Sequence, residues 1–277
     1  MKLKTIFTLL LVTVAISAQA QQITEENYLK IDKEIWDTYY TKMDSISAQF
    51  KLHPEKKDSL IKESEIVYNT ASLKNIEAAI KYAAVPSGLQ RLFMVRLDIP
   101  KDTIKAIWNR LPQEMQLSPY GKSILMHIEN KQLEEGDPYK DFEATDVNGQ
   151  PFKLSSLSGK NILLLYGGLG CMGERGRNEL VDLYENTSRE SFEIVVYNTV
   201  SSLEYLKKAK DEYNVKFIMV SDFLQDHTPF KIIYGAQTRP TVYLINKEGK
   251  LVMKSVGFYP EKVKEKLKDV FTLSNKQ

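Results

Sequence analysis

Hydrophobic positions in the first half of the chain recur at three- and four-residue spacing. Between residues 25 and 50, Tyr28, Ile31, Ile35, Trp36, Tyr39 and Met43 follow this period and predict a helix capped by Thr24. A break at His53-Pro54 follows, and the pattern then predicts helices over 56–68 and 73–83. Pro86-Ser87-Gly88 reads as a turn before a short apolar helix over 89–97, which Asp98-Ile99-Pro100 ends. Two further helices are expected over 101–111 and 118–133, the second with Ser118 as N-cap and Pro119 at its first position. The helical spacing assigns Trp36, Tyr39 and Tyr40 to core packing, with an aromatic binding face as the alternative.

Near 134 the pattern changes. Turn formers cluster, and Asn148-Gly149 between short alternating segments signals a hairpin. Residues 161–167 form a continuous apolar run, as expected of a strand covered on both faces. Strands and helices then alternate: a helix over 174–184, a strand over 192–198, a helix over 202–213 and a strand over 216–222. A short helix at 229–234, a hairpin of 241–246 with 251–257, and a charged closing helix from 260 complete the order. The expected fold class is an α/β domain with a central mixed sheet and helices on both faces, preceded by an all-helical N-terminal domain. The expected boundaries are 1–20, 21–134 and 135–277.

The first 20 residues carry Lys2 and Lys4, a short apolar run and a small-x-small site at Ala18-Gln19-Ala20. This is the pattern of a cleaved secretory signal, and the run is too short to span a bilayer. It implies export to the periplasm, or secretion where no outer membrane exists. Without the leader, 36 basic residues face 36 acidic ones, so the remaining 257 residues are near neutral. They lack the basic excess of a nucleic-acid binder, and no transmembrane segment is expected among them. The single cysteine, Cys171, cannot form an internal disulfide, so packing must supply the stability. Its thiol is buried and inert, paired with another molecule, or reactive.

The segment "GDPYKDFEATDVNGQPFKLSSLSGKNILLLYG" and the segment "YGAQTRPTVYLINKEGKLV" together resemble exported thioredoxin-like proteins of Bacteroidota. The resemblance is to their thiol–disulfide oxidoreductase branch and its AhpC/TSA-related neighbours, and it covers about residues 118–272. It implies a thioredoxin-like fold and makes Cys171 the attacking cysteine. It also implies that Pro240 is a cis-proline facing the active site. The family's usual motif is Trp-Cys-x-x-Cys. Here Gly170 stands at the tryptophan and Glu174 at the resolving cysteine, so the dithiol cycle does not carry over. Gly168 replaces the threonine of peroxide-reducing relatives. The helical domain is similar in character to the N-terminal extensions of some of these proteins, and no function transfers with it.

Thiol–disulfide exchange needs a thiolate, and a strand-to-helix junction favours one through free backbone N–H groups. Arg175 and Arg177 add positive charge nearby, whereas a Glu174 carboxylate facing the sulfur would oppose it. Arg239 meets either an anionic ligand or solvent. One reading is an extracytoplasmic exchange protein in which Cys171 attacks a protein or small-molecule disulfide, Pro240 holds the substrate backbone and an external thiol completes the cycle. The other is a catalytically inactive binding or envelope-maintenance protein on the same fold. No cofactor is expected. "GGLGCMG" lacks the Gly-Lys-Ser/Thr of a phosphate loop, so its glycines serve a tight turn or leave space for a partner. His53, His127 and His227 are too scattered to suggest a metal site, although His227, like Asp222, could approach the cleft.

Overall fold

The computed structural model describes the backbone of residues 22–274 and side chains through residue 268; the expected signal segment lies outside the described residues. The chain divides into two compact units, one ending at Asp98 and the other beginning at Ile99.

The first unit holds α1 (Glu25–Leu52), α2 (Lys57–Lys81) and α3 (Pro86–Met94). Thr24 caps α1 by accepting from Asn27 N at 3.2 Å. Its core gathers Tyr28, Ile35, Ala71, Ala78, Tyr82 and Val85. The two helices expected over 56–83 are one continuous α2: no Gly or Pro interrupts that stretch, and Asn69-Thr70 is too weak a breaker to end a helix. Pro86-Ser87-Gly88 opens α3 rather than preceding it, because proline at the first helical position forfeits no hydrogen bond. Tyr40 is 59% exposed and does not enter the core, since its neighbour Tyr39 takes the inward direction and consecutive helical residues point about 100° apart.

The second unit begins with α4 (Lys101–Trp108), α5 (Gln113–Leu117) and α6 (Pro119–Glu129). Ser118 caps α6 through Gly121 N at 3.1 Å. The boundary expected near 134 therefore marks the first strands rather than the division into compact units. The segment after α6 joins the sheet: Leu133 is buried there and donates its N–H to Ile233 O at 2.9 Å. Strands follow as β1 (Glu143–Asp146), β2 (Pro151–Lys153), β3 (Asn161–Tyr166), β4 (Phe192–Tyr197), β5 (Ile218–Ser221), β6 (Thr241–Ile245) and β7 (Leu251–Val256). Helices α7 (Gly173–Glu185), α8 (Leu203–Tyr213), α9 (Pro229–Ile233) and α10 (Pro260–Ser274) are interleaved among them. Among the described residues, no helix is long and apolar enough to cross a membrane.

The seven strands form one mixed sheet in the order β2-β1-β5-β4-β3-β6-β7. β3, β4 and β5 run parallel, while β6 is antiparallel to β3 and β7 to β6. This is the thioredoxin-like arrangement, with the β1–β2 hairpin added beside β5. Strand alternation sorts the core onto two faces. Leu163, Leu165, Ile194, Val196 and Val242 pack with Leu180 and Leu183 of α7, Leu206 of α8, and Val263 and Leu267 of α10. The charged closing helix thus buries an apolar stripe under its solvated face. Ile162, Leu164, Tyr166, Tyr197 and Tyr243 meet Phe230 of α9 and the adjacent Tyr234 on the other side. There Phe230 stacks on Tyr234, ring centroids 4.2 Å apart, and on Tyr197 at 4.4 Å.

The β3–β6 register positions the site. Tyr166 pairs with Thr241, so the chain leaving β3 emerges beside Pro240, the residue that leads into β6. The Arg239–Pro240 peptide is cis, and Gly257 N donates to Pro240 O at 2.8 Å. Gly168 lies so close that a Cβ built on it would sit 2.5 Å from Pro240 Cβ and 2.6 Å from its nitrogen. With φ at +91° as well, this position admits only glycine. Gly159 shares a positive φ of +85° but has nothing within 4 Å of a built Cβ. Gly159→Ala is therefore expected to cost only the conformational term, about 1–2 kcal/mol. Gly168→Ala adds the collision with Pro240 and should cost about 3 kcal/mol or more. Urea denaturation followed by near-UV circular dichroism checks this, and equal losses would show that the Gly168–Pro240 packing contributes nothing.

Candidate functional site

Cys171 lies in the turn that joins β3 to α7, at the carboxyl end of the parallel strands, and it is exposed. Exposure removes the buried, inert state from the three open to this thiol. The turn is held from within: Gly167 N donates to Tyr197 O at 2.7 Å, and Met172 N donates to Gly168 O at 3.0 Å. Leu169 is buried in the sheet core and anchors the loop by its side chain. Cys171 thus stands three residues after the Gly168–Pro240 contact and two before the first residue of α7.

Sequence reasoning singled out Glu174, Arg175 and Arg177 on α7. Glu174 and Arg175 are exposed and line an open groove with Asn178, Glu179, Asp182 and Lys264. Lys264 reaches across from α10 to Glu179 at 2.8 Å, and this pair holds the Glu179 carboxyl below the usual carboxylate range. Arg177 turns the other way. Its Nη1 donates to Leu169 O at 3.1 Å, and its guanidinium lies 5.4 Å from the centre of the Tyr213 ring.

Pro240 is buried, whereas the neighbouring Arg239 side chain is 44% exposed and reaches Asp226 Oδ1 at 3.4 Å. Lys231 meets the same oxygen at 2.8 Å and, as the stronger influence, holds the Asp226 carboxyl below its ordinary range. Arg239 is therefore neither free in solvent nor committed to an external anion. The buried Tyr166 hydroxyl sits near these charges, its pKa pushed up to about 12 by burial. Asp222 accepts from Leu224 N at 3.0 Å and closes a local turn. His227 packs edge-on against Tyr120, ring centroids 4.5 Å apart. His53 is exposed beside Glu55, and His127 is buried in α6. Among the described residues, no group of three or more His, Cys, Asp or Glu side chains is placed to hold a metal.

Sequence reasoning missed Tyr213. The last residue of α8, it brings its hydroxyl to 2.9 Å from a Cβ built on Gly170, the residue immediately before Cys171. Helical spacing marked α8 without showing which end of it meets the β3–α7 turn. Gly170 was the one available signal: a glycine beside the cysteine leaves room that some other side chain can fill.

The arrangement therefore offers one exposed thiol, with proline on one neighbour of its loop and tyrosine on another. The AhpC/TSA family model matches residues 136–254. The thiol-disulfide oxidoreductase ResA of Bacillus subtilis (strain 168) is 30% identical over 134 residues, covering 47% of this chain and 71% of the relative. The ResA of Bacillus anthracis is 29% identical over 142 residues, covering 50% and 78%. Among solved structures, the thioredoxin domain of a thiol-disulfide oxidoreductase from Bacteroides vulgatus aligns at 23% identity with a TM-score of 0.44, over 48% of this chain and 98% of that one. With the mixed sheet and the strand–helix cysteine already placed, the chain belongs to the thioredoxin-like thiol–disulfide oxidoreductase family.

Proposed function

We propose that this protein is an extracytoplasmic thiol–disulfide exchange protein that works through Cys171 alone. The observation that carries the reading is an exposed, solitary thiol at the β3–α7 junction, on a loop packed against Pro240. The leader-like first 20 residues support export. The partner is a disulfide or thiol on a protein or a small molecule.

In the first step the Cys171 thiol gives its proton to solvent, and its thiolate attacks one sulfur of the partner disulfide. A bond forms between Cys171 Sγ and that sulfur, and the other sulfur leaves as a thiolate that takes up a proton. Pro240 holds the partner backbone beside the new bond. A dithiol protein would release itself by internal attack, but Glu174 occupies the resolving position and the chain has no second sulfhydryl. Release falls to an external thiolate, which attacks the partner sulfur, restores the Cys171 thiolate and retains the partner as its own mixed disulfide. Each exchange conserves the number of disulfides, so no cofactor is required.

Because the thiolate is the attacking species, the rate should rise with pH and level off above the thiol pKa. Alkylation of Cys171 is expected to proceed on the folded protein without denaturation and to quicken as the thiolate fraction rises with pH. Protection at every pH, released only by denaturation, would remove the exchange mechanism and leave the binding-protein reading. Glu174→Cys supplies the absent resolving thiol. That variant is expected to release a bound partner without external thiol, leaving an internal disulfide detectable by mass. A mixed disulfide that persists in it would show that position 174 does not address Cys171.

A further inference from the structure

We propose that the helical unit pairs with a second copy of this chain through the outer face of α2, the two helices running antiparallel about Leu73. The proposal concerns the first unit and is independent of the chemistry of Cys171.

Helix α2 is apolar on two opposite faces. On one face Leu60, Ala71, Ala78 and Ala79 are buried, and Ala71 and Ala78 share a core with Tyr28 and Ile35 of α1. Leu73 stands about 200° around the helix from Ala71, and it is 63% exposed. Ile66, seven residues earlier, is 65% exposed, and Ile80, seven residues later, is 37% exposed. Ile76 lies on the same face and is partly exposed. A solvated helix carries polar residues opposite its core, and this one does not. Apolar residues repeating every seven form a stripe that stays in line along a second helix. From Ile66 to Ile80 the stripe runs about 21 Å, at roughly 1.5 Å per residue.

Symmetry and charge identify the occupant. Ile66, Leu73 and Ile80 read the same in both directions along the chain. A two-fold axis at Leu73 therefore sets Leu73 on its own copy and Ile66 on Ile80 of the second chain. The same rotation brings Asn69 level with Glu77 of the second chain, so an amide in the seam meets a carboxylate that can accept from it. Parallel pairing in register does the opposite. It sets Lys62, which continues the stripe before Ile66, against its own copy, and it brings Asp58 to Glu63 of the second chain. Those like charges, all on exposed residues, oppose the parallel arrangement at the positions that set helix orientation. Antiparallel pairing removes both contacts and brings Lys62 level with Ala84. Each such particle carries two Cys171 thiols.

The test is the mass in solution of the chain from residue 21 to 277, measured by analytical ultracentrifugation over a range of concentrations. A concentration-dependent dimer is expected. Leu73→Lys should weaken it on the order of a hundredfold, because both copies of the central side chain are lost. Its far-UV circular dichroism should not change, since the position is exposed. Ile66→Lys should act in the same direction. Leu29→Lys, at a leucine of α1 that is 52% exposed, should leave the dimer intact. Orientation is read by oxidative cross-linking in chains that also carry Cys171→Ser. Leu73→Cys should cross-link to itself, and Ile66→Cys should cross-link to Ile80→Cys but not to itself. A monomer at every concentration would overturn the proposal and leave this face to another segment or a different protein. A dimer that Leu73→Lys leaves unchanged, or that Leu29→Lys weakens equally, would overturn it too. So would self-linking of Ile66→Cys, which requires parallel helices.

Discussion

The register between β3 and β6 is the constraint on which the rest of the site depends. Tyr166 opposite Thr241 is one rung of a five-pair ladder, and a one-residue slip would turn every buried side chain of β6 to the wrong face. Both faces are filled, by aliphatic residues toward α7, α8 and α10 and by stacked aromatics toward α9. Core packing therefore fixes a distance it was not obviously concerned with, that between the turn after β3 and the proline before β6. Gly168 records how close the two segments come.

From this constraint the local chemistry follows in order. The turn must be tight, so it uses glycines. Leu169 pins it inward, and Arg177 pins the same residue by its carbonyl, leaving Cys171 at the surface. The charged residues near this turn in sequence, and Arg239 beside Pro240, have separate environments. Arg177 is spent on the backbone and the Tyr213 ring, Arg239 is paired with Asp226, and Glu174 and Arg175 stand exposed on α7. In the proposed exchange, the absence of a second thiol separates the two halves of the chemistry: Cys171 captures the partner, whereas release requires another molecule.

Most of the sheet unit could be read from the sequence because local signals agreed with the tertiary result. The Asn148-Gly149 hairpin, the apolar run at 161–166 and the Ser118-Pro119 cap each carry a short-range physical cause. The errors arose where a local signal has two meanings. Pro86-Ser87-Gly88 suits a turn or a helix start, and the polar residues near 70 suit a helix break or a solvated helical face. The division after Asp98 was not legible, since α4–α6 have the same helical period as α1–α3 and differ only in what they pack against. Cys171, Pro240 and Glu174 could be placed by motif and order. Tyr213 could not, because its approach to Gly170 depends on the direction α8 takes across other elements, and no spacing within α8 encodes that direction.

A solitary cysteine at the surface also separates this protein's folding from its chemistry. Exported domains stapled by disulfides gain their native state and their oxidation state together, and they lose both in a reducing solution. Here the cohesion comes from packed apolar and aromatic side chains, hydrogen bonds and ion pairs. The single thiol belongs to neither core. Thiol–disulfide exchange therefore acts on the occupancy of a single surface atom, with no structural disulfide for it to break.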